Sequence, residues 1–319
     1  MKFVIVGAGA IGRIFGTLLS RGRHEVVFVE TNPEIVATIN EHGIGIMEIG
    51  MEDTDEVQLV PAKAVTDAKA IDSCDFLIMA VKSYNTLTAI KNVAHLVAAN
   101  APVLTIQTGL GNLEVMEKVV SRQDILGGLT FRAGTALGPG IVRSGGMGKT
   151  YLGELDGEIT PRLEKLGAAF NECGIVTDLV RRIIGRIWCK AIVYAALNTV
   201  SAILRIKNGM LLDKMESVTL LKRLIDEGKM VAEANAIDLV YHDLYELLFD
   251  ACKNTSDNLS PMLQDILNGK RTEIDNLNGA LCRYGEEKGI KLPTHHTIIQ
   301  IVKLVEKWGP NFDGLVKSG

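Results

Sequence analysis

The sequence predicts a chain in two parts, an α/β domain built on a mostly parallel sheet and then an all-α domain. Three observations carry this. Residues 3–6, FVIV, form a continuous apolar run that stops at a glycine cluster, GAGAIG. Apolar runs of strand length recur through the first half: EVVFVE (25–30), CDFLIMAVK (74–82) and PVLTIQTGLGN (102–112). Beyond about residue 160 the strand signals stop and apolar residues follow helical spacing. Composition turns from glycine-rich to leucine- and alanine-rich near residue 180, which sets the expected domains at 1–180 and 181–319.

Bulk properties narrow the function classes. The chain has 319 residues, 47% hydrophobic and 23% charged, enough for two cores. A net charge of -4 and a pI of about 5.9 give no positive field to recruit nucleic acid or an anionic membrane. Five widely spaced cysteines without a CxxC pair read as reduced thiols, and no HExxH or similar spacing offers a metal site. The opening MKFVIV is too short for a signal-peptide core, and no uninterrupted apolar run reaches about 18 residues. A soluble, cytoplasmic protein is expected.

The first elements form a βαβ unit. FVIV suits a buried parallel strand, RIFGTLLSRG follows as a helix with one apolar face, and EVVFVE returns as the second strand. The turn between them, Gly7-Ala8-Gly9-Ala10-Ile11-Gly12, is a GxGxxG in its proper context, which predicts a Rossmann-type dinucleotide-binding domain. Gly7 permits the tight turn, Gly9 lets backbone approach a pyrophosphate, and Gly12 allows close helix–strand packing. Amides at the helix start then face the phosphates. Glu30, at the tip of the second strand, can accept bonds from the ribose hydroxyls of NAD and would repel the extra phosphate of NADP. NAD(H) is therefore favoured, with NADP(H) left open.

Ligands in open α/β sheets bind beyond the carboxyl ends of the strands, which is where Lys82 and the Gln107-Thr108-Gly109 loop fall. Lys82 reads equally well as a cofactor contact or as a surface lysine. ILGGLTFRAG (125–134), GIVRSG (140–145) and KTYLGEL (149–155) read as short strands of an antiparallel edge.

In the second half, helices are expected over 183–206, 215–236, 241–253, 270–288 and 294–307. One lysine stands near the head of the apolar run WCKAIVYAALNTVSAI (188–203). Lys190, Tyr194 and Asn198 fall at i, i+4 and i+8, near one helical face. Such a lysine either snorkels to solvent or is held for chemistry. Glu273, in a second polar cluster near an expected helix start, offers a carboxylate from another helix. The run 188–203 is either internal or part of a dimer seam, so a homodimer stays open.

VKSYNT (81–86), QTGLGNLE (107–114), the Lys190 to Asn198 helix and above all MLQDILNGKRTEIDNLNG (262–279) followed by EEKGIKLPTHH resemble the ketopantoate reductase (2-dehydropantoate 2-reductase) family. The resemblance covers nearly the whole chain. It implies a Rossmann domain plus a helical domain with the active site between them, and reduction of ketopantoate to pantoate in pantothenate and coenzyme A biosynthesis. By the same resemblance Lys190 is the general acid, Glu273 helps position it, Asn198 binds substrate hydroxyls, and Lys82 contacts the cofactor. Three positions depart from the family pattern. Thr108 and Tyr194 stand where asparagine is usual, and Pro261 stands where a substrate-binding serine is usual, with Ser260 one residue early. The implied activity is NAD(P)H-dependent reduction of a small 2-oxo acid. A related dehydrogenase for another hydroxy acid or a polyol phosphate is the alternative, and a non-catalytic NAD(H) sensor is the rival from another class.

Overall fold

A computed structural model describes residues 1–52 and 55–309, which fall into two compact units. The first comprises Met1–Gln107 and Asn112–Ile183; the second comprises Thr108–Gly111 and the chain from Ile184 onward.

The first unit runs β1 (Lys2–Val6), α1 (Ala10–Arg21), β2 (Glu25–Val29), α2 (Pro33–His42), β3 (Ile44–Met47), β4 (Leu59–Val60) and β5 (Lys63–Val65). It continues with β6 (Phe76–Met79), α3 (Thr86–Ala98), β7 (Val103–Thr105), α4 (Asn112–Glu117) and β8 (Ile125–Thr130). The last elements are β9 (Ala133–Ala136), β10 (Ile141–Gly146), β11 (Thr150–Glu154), α5 (Pro161–Glu172) and β12 (Thr177–Leu179). Eight strands form one sheet in the order β12-β11-β8-β7-β6-β1-β2-β5. It is parallel except where β11 meets β8.

Continuous apolar strands follow from burial on both faces. In β1, Phe3 and Ile5 pack with α1 and α5 residues such as Phe15 and Phe170, while Val4 and Val6 face α3 residues such as Ile90 and Val93. Phe170 belongs to an aromatic cluster, with ring centroids 6.3 Å from Phe3 and 5.5 Å from Phe15.

The structure departs from the expected antiparallel edge. β8 pairs parallel with β7, and only β11 of the three runs is antiparallel within the large sheet. β9 and β10 leave it for a second, four-stranded sheet ordered β4-β3-β10-β9, with a bulge at Ser144/Gly146. Length and side-chain pattern cannot tell which sheet a short glycine-rich strand joins, because register is weakly specified there. Two elements past residue 160, α5 and the three-residue strand β12, also belong to the first unit.

The second unit is helical: α6 (Ile183–Leu204), α7 (Met215–Ala234), α8 (Leu244–Asn254), α9 (Pro261–Leu267), α10 (Asn278–Glu286) and α11 (Pro293–Trp308). α6 is mostly apolar, as suits a core helix, with Lys190, Asn198 and Ser201 among its buried polar residues. It is long and apolar enough to cross a membrane by composition, but 83% of that stretch is buried inside the protein. The helix is thus internal. The single helix expected over 270–288 is broken: a 3-10 turn at Ile274–Asn276 precedes α10, and Glu273 lies just ahead of that turn.

Phe170→Ala should cost about 3–5 kcal/mol, because a fully buried ring would leave a cavity among neighbours held by the sheet. Urea unfolding followed by circular dichroism measures it.

Candidate functional site

The glycine turn of the first unit has the shape that a phosphate-binding loop needs. Gly7 has φ +101°, and a Cβ there would press against Val81 and the backbone of Ala80. A Cβ at Gly12 would lie 2.1 Å from the Gly7 carbonyl oxygen, so only glycine lets α1 start this close to β1. Above Gly9 the space is open, and no side chain caps α1. The first-turn amides, at Ala10, Ile11 and Gly12, have no intrahelical acceptor by helix geometry. An uncapped helix start beneath open space fits a pyrophosphate.

Glu30 is tied to this turn. Its Oε2 accepts from the Ala8 amide at 2.9 Å, and its Oε1 from the Asn32 amide at 2.9 Å. Two amides fix the carboxylate beside the glycine loop and leave lone pairs for further donors.

The loops after β6 and β7 are joined by buried side chains. Gln107 Nε2 donates to the Val81 carbonyl (2.8 Å) and to Thr86 Oγ1 (2.9 Å), and Gln107 Oε1 accepts from Thr105 Oγ1 (3.0 Å). Thr86 Oγ1 also lies 2.9 Å from Asn112 Oδ1, and Asn112 Nδ2 donates to Ser83 Oγ at 3.2 Å. Lys82 is half-buried at the start of the short turn Ser83–Asn85. Sequence reading singles out Gln107 and Lys82 but passes over Thr86 and Asn112. Both lie within the motifs that carry the family resemblance, but a polar residue at a helix start usually marks a cap rather than a buried link.

In the second unit, Lys190 is buried, with 5% of its surface exposed. Its Nζ donates to Thr108 Oγ1 at 3.3 Å and lies 5.2 Å from the centre of the Tyr194 ring. Thr108 belongs to the segment Thr108–Gly111 that packs with the helices, and the Leu110 amide in that segment donates to the Asn276 carbonyl at 2.8 Å. Burial pulls the Lys190 ammonium down to about 8, and the negative charge of Glu273 opposes the fall. Burial likewise pushes the Tyr194 hydroxyl up to about 12, so it keeps its proton at neutral pH. The structure therefore brings Lys190, Thr108 and Tyr194 together, with Glu273 within electrostatic range.

Asn198, two turns along α6, is buried, and its Oδ1 accepts no hydrogen bond. Such an orphan costs about 1–3 kcal/mol, which a ligand hydroxyl would recover. Ser260 and Pro261 are placed differently. The Ser260 hydroxyl is fully buried, caps α9 through the Leu263 amide (3.2 Å) and lies 2.5 Å from Ser201 Oγ. Pro261 opens α9 with its ring exposed. Gly109 is buried beside Thr108.

Residues 3–157 match the family described as Ketopantoate reductase PanE/ApbA, and residues 182–306 match Ketopantoate reductase PanE/ApbA C terminal. A 2-dehydropantoate 2-reductase of Pyrococcus abyssi is 32% identical over 303 residues, covering 95% of this chain and 97% of that one. Its Pyrococcus horikoshii counterpart is 33% identical over 309 residues, covering 97% and 99%. Among solved structures, a PanE/ApbA family ketopantoate reductase from Ralstonia eutropha superposes with a TM-score of 0.86 at 28% identity, covering 96% and 99%. D-mandelate dehydrogenase, in a ternary structure with NADH and anilino(oxo)acetate, gives a TM-score of 0.88 at 25% identity, covering 96% and 98%. With both halves matched and relatives above 30% identity aligned over almost their full length, the chain belongs to the ketopantoate reductase family.

Proposed function

We propose that this protein reduces a small 2-oxo acid, with 2-dehydropantoate as the leading substrate, and that Lys190 delivers the proton. The observation that carries this reading is the buried Lys190 ammonium beside Thr108 and Tyr194, on the same helix as the orphan acceptor of Asn198. When bound, a reduced nicotinamide supplies hydride to the carbonyl carbon.

The residues supply the rest. A lysine with its ordinary pKa near 10.4 gives up its proton reluctantly at neutral pH. Held at about 8, Lys190 is still mainly protonated at pH 7 yet is a better acid. Its charge also stabilises the alkoxide that develops on the substrate oxygen. Glu273 keeps the ammonium from losing its proton altogether. Asn198 Oδ1 is suited to accept a bond from a substrate hydroxyl. Ser260 stays outside this set because its hydroxyl is committed to the α9 cap.

For the cofactor, Gly7 to Gly12 and Glu30 suit NAD(H), with Lys82, Gln107, Thr108 and Gly109 on the adjoining loops. A carboxylate fixed at Glu30 by two amides would meet the extra phosphate of NADP(H) with like charge. A second reading is a dehydrogenase of another 2-hydroxy acid. Thr108 and Tyr194 in place of asparagines put a methyl group and an aromatic ring near Lys190, and the overlap with D-mandelate dehydrogenase points the same way. A non-catalytic sensor would have no use for a buried, depressed lysine. Oxidation of NADH and NADPH against ketopantoate and a panel of aliphatic and aromatic 2-oxo acids separates these readings, and no turnover on any of them would overturn the first two.

Lys190→Ala should leave NADH binding intact and lower turnover by at least about a hundredfold, measured by stopped-flow binding and steady-state assay. The ammonium is the working form, so reduction should be fastest at low pH and fall as pH rises through about 8. Glu273→Gln removes a charge that raises the Lys190 pKa, so this falling limb should move to lower pH; a rate profile and lysine ε-carbon NMR titration both read the shift. Glu30→Arg should transfer preference from NADH to NADPH by about tenfold or more in kcat/KM, and a wild type that already prefers NADPH would overturn the role given to Glu30.

A further inference from the structure

A buried polar chain crosses four helices of the second unit and ends on α6. His295, on the first turn of α11, is fully buried. Its Nε2 lies 2.9 Å from the Leu224 carbonyl oxygen on α7, and its Nδ1 lies 3.1 Å from Asn278 Nδ2 at the start of α10. A carbonyl oxygen only accepts, so Nε2 carries the proton and Nδ1 is left as the acceptor. Asn278, also fully buried, gives one amide proton to Nδ1 and the other to the Ala195 carbonyl at 3.1 Å. Turning the carboxamide over would set its oxygen against both the imidazole lone pair and that carbonyl, so one orientation fits. The start of α11 is itself pinned, because Glu227 on α7 accepts from the Thr294 and His295 amides at 2.9 and 3.1 Å.

Two features show that this chain does more than fill space. Asn278 Oδ1 is buried and accepts no hydrogen bond, so the side chain is kept for its two donors at a cost that an apolar residue would avoid. The far end is Ala195, which directly follows Tyr194 and lies between Lys190 and Asn198. α6 is mostly apolar, and non-directional packing specifies its rotation weakly. The Asn278 bond to the Ala195 carbonyl supplies direction that packing lacks, alongside the Ser260 hydroxyl at the Asn198 carbonyl (3.5 Å) and Ser201.

We propose that His295 and Asn278 are positioning residues for the reductive site, setting the rotation of α6 at Ala195 and with it the placement of Lys190, Tyr194 and Asn198. The proposal rests on the roles given to those three residues above.

His295→Leu keeps apolar bulk and removes both imidazole bonds. His295→Asn puts an amide oxygen close to where Nδ1 was, which keeps the link to Asn278 and gives up the one to Leu224. His295→Leu should lower kcat for 2-oxo acid reduction by about tenfold or more and leave the KM for NADH within about twofold, while His295→Asn should restore kcat to within about threefold of wild type. Wild-type kcat in His295→Leu, or equal losses in both variants, overturns the proposal. Should His295→Leu fail to fold, Asn278→Asp, of the same shape but without the donors, must show the kcat loss; wild-type kcat there overturns it equally. If the wild type turns over no 2-oxo acid, the functional assignment falls, and the positioning role is still read from the Lys190 ε-carbon titration. Its midpoint should move by about half a unit or more in His295→Leu and return in His295→Asn. A midpoint unmoved in His295→Leu overturns the proposal on its own.

Discussion

The second unit is organised around the free energy of keeping one ammonium out of water. Lys190 is 5% exposed on a mostly apolar helix. A depression from 10.5 to about 8 corresponds to roughly 3 kcal/mol of unfavourable charge burial. That penalty is present in full at pH values below about 8, where folded and unfolded chains both hold the proton. It is relieved as pH rises from about 8 toward 10.5, where the unfolded chain binds more protons than the folded one. The general acid role proposed for Lys190 would make use of that depression at neutral pH.

The neighbours of that charge show how the cost is contained. Thr108 offers a hydroxyl oxygen, the Tyr194 ring offers its π face, and Glu273 contributes an attractive charge. Each offsets part of the cost of burying the charge. Thr108 reaches Lys190 because the segment Thr108–Gly111 leaves the sheet after β7 and packs with the helices, held by the Leu110 to Asn276 bond. The loop–sheet junction at Gln107 is fixed in turn by its bonds to Val81 and Thr86. The polar residues that hold backbone in place thus lie one step behind the residues given chemical roles.

In the first unit, the same logic works through backbone rather than side chains. The glycine turn presents amides, and its two constrained glycines cannot carry a Cβ without striking Val81 or the Gly7 carbonyl. Glu30 is attached to the turn by the Ala8 amide, so the group that would discriminate between cofactors and the group that would hold the phosphates move as one piece. Preorganisation of this kind lowers the ordering cost when a ligand binds.

Much of this was legible in the chain itself. The α/β-then-α fold class, the βαβ unit with its GxGxxG and the membership of the family follow from local pattern: apolar runs of strand length, glycines at fixed spacing, and a long polar block with a distinctive order. Those signals are short-range and survive without knowledge of partners. The fate of β9 and β10 in a second sheet, the break ahead of α10, and the burial of the Ser260 hydroxyl against Ser201 of α6 were decided by tertiary contact. So was the chain from His295 through Asn278 to Ala195, whose members lie 17 and 83 residues apart in sequence. No periodicity marks a hydrogen bond between distant residues, because its energy depends on distance and direction that exist only once the helices have packed.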